Sequence, residues 1–233
     1  MSTRIAGDDG ADRQADVARP DLFTTADLRA WVARAERTLV RHRAQLDRLD
    51  ARLGDGDHGE NMCVGFADAV RAMADDPDGH DAGELLRDLG QVLVASVGGA
   101  GGSLYGTAFI EAGIAVVGRS SLDVAGLATA LDAAADGLAR RGRCRQGDKT
   151  IYDALRPAAD AVVEAARTGT DVETAIRAAA GAARAGMLAT RPLVARRGLA
   201  LRLGERSRGH QDPGATSCFL LVRAMLESTG RAR

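Results

Sequence analysis

Aromatic residues are scarce in this sequence: phenylalanine, tryptophan and tyrosine together make up 3% of 233 positions. Strands draw heavily on aromatic and β-branched side chains, so the shortage argues against a β-rich fold. Cysteine is scarce too. Cys63, Cys144 and Cys218 are odd in number and far apart, which excludes a disulfide framework and the paired spacing of a structural zinc site. Net charge is almost absent, 31 basic against 32 acidic side chains leaving −1. No global field therefore draws in nucleic acid or an anionic membrane surface. No apolar run approaches the roughly 20 residues that a bilayer span requires. The charged N-terminus also lacks the apolar core of a signal peptide. Neither nucleic acid nor membrane is an expected partner, and the cytoplasm is the expected location.

What the chain does have is alanine, leucine and arginine, all good helix formers, crowding its middle. With 45% hydrophobic residues it has enough apolar surface for a real core. Residues 1–20 are polar, end at Pro20 and read as a mobile leader, leaving 21–233 as a single domain. Thr25 is placed to cap a helix in which Leu28, Trp31, Val32, Ala35, Leu39, Leu46 and Leu49 recur at helical spacing and which runs into Asp50. Further helical patterns fall at roughly 60–75, 84–97, 104–118, 122–140, 153–168, 171–189 and 214–228. The expected fold is therefore all-α, an antiparallel up-and-down barrel or bundle of about eight helices. Four joins are rich in glycine and charge: 53–61, 98–106, 142–150 and 204–216. If alternate ends of the bundle carry them, they meet at one end and form one site.

The first of these joins is acidic. Asp50 is followed by Leu53-Gly54-Asp55-Gly56-Asp57-His58-Gly59, and three carboxylates so close repel one another unless solvated or bridged by a cation. Hard oxygen donors favour magnesium, calcium or manganese over zinc. A solvated aspartate-glycine turn is the plain alternative. The dinucleotide reading of Gly54-x-Gly56-x-x-Gly59 is poor, because a helix precedes it and two acids would face a pyrophosphate. A calcium EF-hand fails as well, with Gly59 at the third ligand position and Phe66 where the bidentate glutamate belongs. His58 and Asn61 sharpen the metal–phosphate reading, since an imidazole and an amide beside a helix start can donate to phosphate oxygens.

The run Val97-Gly98-Gly99-Ala100-Gly101-Gly102-Ser103 exposes backbone N–H groups at a helix entrance without being a Walker loop. Close helix packing around small residues is its alternative reading. Gly147-Asp148-Lys149-Thr150 opens another helix. Asp212 and Pro213 have the chemistry of a cap and a first helical position for the last one.

Taken together, Leu49-Asp50, Gly54-Asp55-Gly56-Asp57-His58-Gly59-x-Asn61-Met62, Val97-Gly98-Gly99-Ala100, Gly147-Asp148-Lys149-Thr150, Leu203-Gly204-Glu205-Arg206-Ser207 and Gly209-His210-Gln211-Asp212-Pro213-Gly214-Ala215-Thr216-Ser217 resemble the L subunit and matching nucleotide-binding domain of dihydroxyacetone kinases, over about residues 25–228. The resemblance implies a barrel of eight antiparallel helices binding ADP or ATP at one end. It implies two magnesium ions on Asp50, Asp55 and Asp57. His58, Gly59, Glu60, Asn61, Ala100, Gly101 and Ser103 would lie along the phosphates, and Gly142, Ile151, Asp212, Pro213 and Gly214 would line the rest of the nucleotide. No residue of this chain beyond the metal ligands would be catalytic.

The same resemblance implies a short-ketose kinase whose substrate sits on a separate K-type subunit and whose nucleotide is recharged by a phosphohistidine donor protein of the phosphotransferase system. A homodimer is a further assembly option. The alternative is a nucleotide-loaded regulatory module acting on a transcription factor or partner enzyme. Three positions depart from the family pattern: Gly101 stands for a serine, Ser103 for a proline and Leu199 for an arginine that Arg202 would replace.

Overall fold

Helix-forming segments punctuated by glycine and aspartate fold here into α1 (Thr25–Asp50), α2 (His58–Asp75), α3 (Ala82–Ser96), α4 (Gly99–Ala115), α5 (Val124–Gly142), α6 (Tyr152–Thr168), α7 (Val172–Ala189) and α8 (Pro213–Ser228). The structure, a computed structural model, describes residues 21–75 and 80–229. The expected leader, residues 1–20, lies outside the described residues. A 3-10 helix, Leu199–Ser207, precedes α8. A two-residue bridge pairs β1 (Phe23–Thr24) with β2 (Ser121–Leu122) antiparallel, Phe23 opposite Leu122. No helix among the described residues is long and apolar enough to cross a membrane.

Each helix packs on the next in sequence, and α8 packs back on α1, so the eight close into a ring. Short joins make α1 to α7 successively antiparallel. Lys149 donates to Thr190 O and His210 O, which brings both ends of the longer 190–212 join to the end where α6 starts. The C-termini of the odd-numbered helices and the N-termini of the even-numbered ones therefore share one end. Leu39 and Leu46 of α1, Phe66 of α2, Leu93 of α3, Leu138 of α5 and Ile176 of α7 are among the core side chains. Trp31 is buried with its Nε1–H donating to Leu221 O at 2.9 Å, which satisfies its single polar group.

Aspartates start several helices. Asp81, Asp123, Asp171 and Asp212 each accept a backbone N–H from three residues ahead, satisfying one of the donors that a helix start leaves orphaned. For α1 the cap is Thr24, not Thr25. Thr24 has extended backbone and forms a reciprocal box with Asp27, whereas Thr25 is already helical.

The expected glycine-rich loop at 98–106 also needs correction, because α4 begins at Gly99. Packing overrides the poor helix propensity of glycine here. A Cβ on Gly83 would lie 2.6 Å from Gly113 O, and one on Gly90 would lie 2.7 Å from Gly106 O. The converse contacts, from Gly113 and Gly106 back to the α3 backbone, are equally tight. These two pairs let α3 and α4 approach backbone to backbone. The segment is a helix because its small residues fit against a partner helix.

Gly113 lies far along α4 from the glycine-rich start. Gly113→Ala adds a methyl against the backbone of α3, which outweighs the ~1 kcal/mol that alanine gains as a helix former. The variant should unfold at lower urea concentration, with a net loss of about 1–2 kcal/mol, and the native chain's midpoint is the reference that decides it.

Candidate functional site

Asp50 ends α1, and the turn after it folds back over its carboxylate. Asp50 Oδ2 accepts the N–H of Gly56 at 2.8 Å and of Asp57 at 3.2 Å. Two glycines make this turn possible. Gly56 takes a left-handed φ of 88°, and a Cβ on Gly54 would lie 2.5 Å from Asp50 Oδ1. The result brings one oxygen each from Asp50, Asp55 and Asp57 within 4.8 Å of one another, Asp50 half-buried and the other two exposed. Burial pushes the Asp50 carboxyl above its ordinary range and the neighbouring Asp55 adds to this, while the Gly56 and Asp57 N–H groups oppose it. A divalent cation would offset the penalty that burial and the Asp55 charge impose. Three hard carboxylate donors on a tight turn suit such an ion.

His58 opens α2 beside this cluster. Its Nε2 lies 2.8 Å from Ser217 Oγ, and Ser217 Oγ lies 2.7 Å from Tyr105 Oη, so α2, α4 and α8 are joined by side chains. The His58 Nδ1 side faces α4, 4.0 Å from where a Cβ on Gly101 would stand. A Cβ on Gly98 would be 3.1 Å from Asn61 Oδ1. A Cβ on Gly214 would be 3.3 Å from the Ile151 Cβ and 3.2 Å from Asp212 Oδ2. Gly142 lies against Leu104 and Cys144 by the same measure, at 3.1 and 3.2 Å. The three aspartates, His58, Asn61, Gly101, Ile151 and the Asp212-Pro213-Gly214 start of α8 thus gather at one end of the ring.

Other sequence-selected residues face elsewhere. Gly59 is pressed against α1, where a Cβ would stand 2.7 Å from Asp47 Oδ1. The Glu60 side chain is exposed and pairs with Arg43 at 2.9 Å, while its N–H donates to Asp47 Oδ1 at 3.0 Å. Ser103 Oγ donates back to Ala100 O at 3.2 Å, within the first turn of α4. Leu199 and Arg202 are both exposed on the 3-10 helix. At three residues per turn Arg202 stands on the same face as Leu199.

Lys149 stands in the Gly147-Asp148-Lys149-Thr150 motif, but the sequence assigns it no role. It is 1% exposed, holds a left-handed φ of 63°, and its ammonium donates to Thr190 O at 2.7 Å and to His210 O. Burial lowers its pKa, with Asp212 and Asp153 opposing. Asp212 is buried beside it, its carboxyl pushed up to about 7 by burial against the pull of the Ala215 N–H and Lys149. Asp153 accepts N–H groups from Gly147 at 2.5 Å and Thr150 at 2.8 Å. Together these groups clamp the turns around 147–153, 190 and 210–212 behind the site. Capping chemistry in the sequence accounted for Asp212 and concealed the lysine. Asp47, Tyr105 and Ser217 likewise have no role assigned from sequence, since their partners come from other helices.

A barrel of eight helices with a carboxylate cluster and four helix starts at one end defines a class, and comparison with known proteins names it. The DAK2 domain model matches residues 52–227. The ADP-binding subunit DhaL of the PEP-dependent dihydroxyacetone kinase of Escherichia coli is 37% identical over 195 residues, covering 84% of this chain and 92% of that protein. The L-erythrulose 1-kinase of Mycolicibacterium smegmatis is 39% identical over 189 residues, covering 81% of this chain and 33% of that protein. The dihydroxyacetone kinase of C. freundii, solved in complex with AMP-PNP and Mg2+, superposes with a TM-score of 0.66 at 23% identity, over 98% of this chain and 38% of that one. This chain belongs to the DAK2 domain family, the nucleotide-binding domain family of dihydroxyacetone kinases.

Packing around His58 pushes its pKa from 6.5 down to about 4, against the opposing charges of Asp47 and Asp55. Folding therefore favours the neutral ring, and this contribution is complete above pH 6.5 and lost as pH falls toward about 4. Asp212 works in the opposite sense over an overlapping range, so a single-site comparison is needed to isolate the histidine. Between about pH 7 and about pH 4.5, His58→Gln should lose less stability to urea than the native chain does. Equal losses would contradict the assignment.

Proposed function

We propose that this chain is the nucleotide-holding subunit of a kinase for dihydroxyacetone or a related short ketose. In this reading Asp50, Asp55 and Asp57 hold two magnesium ions against the phosphates of ADP or ATP. The observation that carries it is the convergence of three carboxylates within 4.8 Å beside the starts of α2, α4 and α8. A helix C-terminus favours a cation and helix N-termini favour anions. The end of α1 thus suits the metal, and the starts of α2 and α4 suit the phosphates.

Phosphoryl transfer asks a protein mainly for alignment and charge neutralisation. Magnesium, when bound, would supply the neutralisation of phosphate charge, held by Asp50, Asp55 and Asp57. The protein's part is positional. The Gly56 and Asp57 N–H groups fix Asp50, His58 and Asn61 lie where they can donate toward phosphates, and Ile151 with Asp212-Pro213-Gly214 shapes the wall beyond. Gly142, packed on Leu104 and Cys144, offers an apolar surface for the base. Gly59 and Glu60 would act through their place in the first turn of α2, and Ala100, Gly101 and Ser103 through the start of α4. None of these groups need attack phosphorus.

The acceptor would come on a separate K-type subunit, a reading supported by the name of the Escherichia coli relative, the ADP-binding subunit of a dihydroxyacetone kinase. In the same reading a phosphohistidine protein recharges the bound nucleotide, and the PEP dependence in that relative's name supports phosphoenolpyruvate as the ultimate phosphate source. A cytoplasmic setting accords with that chemistry.

Calorimetric titration with ADP tests the reading. Binding should require magnesium, and Asp55→Asn should weaken it about 100-fold or more, beyond the effect typical of a residue that only supports a ligand. ADP binding equally well in the presence of a chelator would overturn the proposal.

A further inference from the structure

The hydroxyls of Tyr105 and Ser217 form a short buried chain that ends on His58, and their chemistry fixes which way its protons run. Tyr105 is 4% exposed and Ser217 is fully buried, so water does not stand in for either partner. Tyr105 Oη has two oxygens in reach, Ser217 Oγ at 2.7 Å and Gly214 O at 3.3 Å. A phenol is a better donor and a poorer acceptor than an aliphatic hydroxyl, and the shorter contact is the stronger one. Tyr105 therefore donates to Ser217. The Ser217 proton is then directed to His58 Nε2 at 2.8 Å or to Gly214 O at 3.0 Å.

The far side of the ring decides between these two. Nδ1 faces the glycine-rich start of α4, 4.0 Å from where a Cβ on Gly101 would stand. If Ser217 bonded Gly214 and the ring donated from Nε2, Nδ1 would present a lone pair toward the phosphates. That arrangement repels the anion the helix start favours. If Ser217 donates to Nε2, the ring proton remains on Nδ1 and points the right way. The hydrogen bond made by one imidazole nitrogen sets the state of the other.

We propose that Tyr105 and Ser217 are positioning residues that hold His58 as the Nδ1–H tautomer, so that the ring donates toward the phosphate-binding end of α4. The choice between the two directions of the Ser217 proton rests on the nucleotide reading, and the tautomer it selects is measurable in the empty protein.

The test uses the full chain labelled with 15N-histidine, without nucleotide, at about pH 7.5. The chain has 4 histidines, and His58→Gln identifies the His58 signals by their loss. Long-range 1H–15N spectra should show His58 protonated at Nδ1 with Nε2 unprotonated. Ser217→Ala should release the ring to Nε2–H or a mixture, Ser217→Thr should restore Nδ1–H, and Tyr105→Phe should give a mixture. ADP affinity with magnesium should fall roughly tenfold in Ser217→Ala, as for one lost hydrogen bond to a charged group. An Nε2–H ring in the native chain, or a tautomer unmoved by Ser217→Ala, overturns the proposal. Failure of the native chain to bind ADP would instead overturn the nucleotide reading, which the nucleotide-free spectra do not depend on.

Discussion

Mutual repulsion among Asp50, Asp55 and Asp57 is the constraint around which this end of the molecule is built. Bringing three carboxylate oxygens within 4.8 Å is unfavourable without a counter-charge. Part of that cost is offset by the two backbone N–H groups that Asp50 accepts. Those bonds exist because Gly54 and Gly56 allow a turn that no side chain at either position would fit without strain. In the proposed function, a divalent cation would compensate the repulsion that the backbone leaves.

The ring of helices puts this cluster next to opposite requirements. Antiparallel neighbours alternate C-terminal and N-terminal ends around the rim. A cation and a polyanion can therefore be held side by side, each by the helix ends that suit it. Behind the rim, Lys149 ties two carbonyl groups from separate turns, with Asp153 and Asp212 close by. The reciprocal glycines of α3 and α4 fix the helix whose start faces His58. Rigid packing and site geometry are in this sense one problem.

Much of this was legible in the sequence because it is written locally. Helical periodicity placed eight helices, and the aspartate before Pro213 announced the α8 cap that the structure shows. The three acids stood out because they share one short turn. The start of α4 was misread because Gly99, Gly101 and Gly102 have poor helix propensity, and only contact with α3 makes the segment helical. The 3-10 helix at Leu199–Ser207 is short and broken at Gly204, whose backbone is non-helical, so its sequence looks like a join. The roles of Lys149, Tyr105 and Ser217 were hidden for a related reason. Their meaning lies in partners 41 to 159 residues away, and no local pattern encodes a contact at that range.

The most direct measurement is crystallographic: crystals grown with ADP and Mn2+ in place of Mg2+, with the metal located by its anomalous scattering. The account predicts manganese coordinated by Asp50, Asp55 and Asp57 and shared with phosphate oxygens of a nucleotide lying toward His58 and Gly101. Manganese bound elsewhere, or a nucleotide whose phosphates point away from the three aspartates, would contradict it.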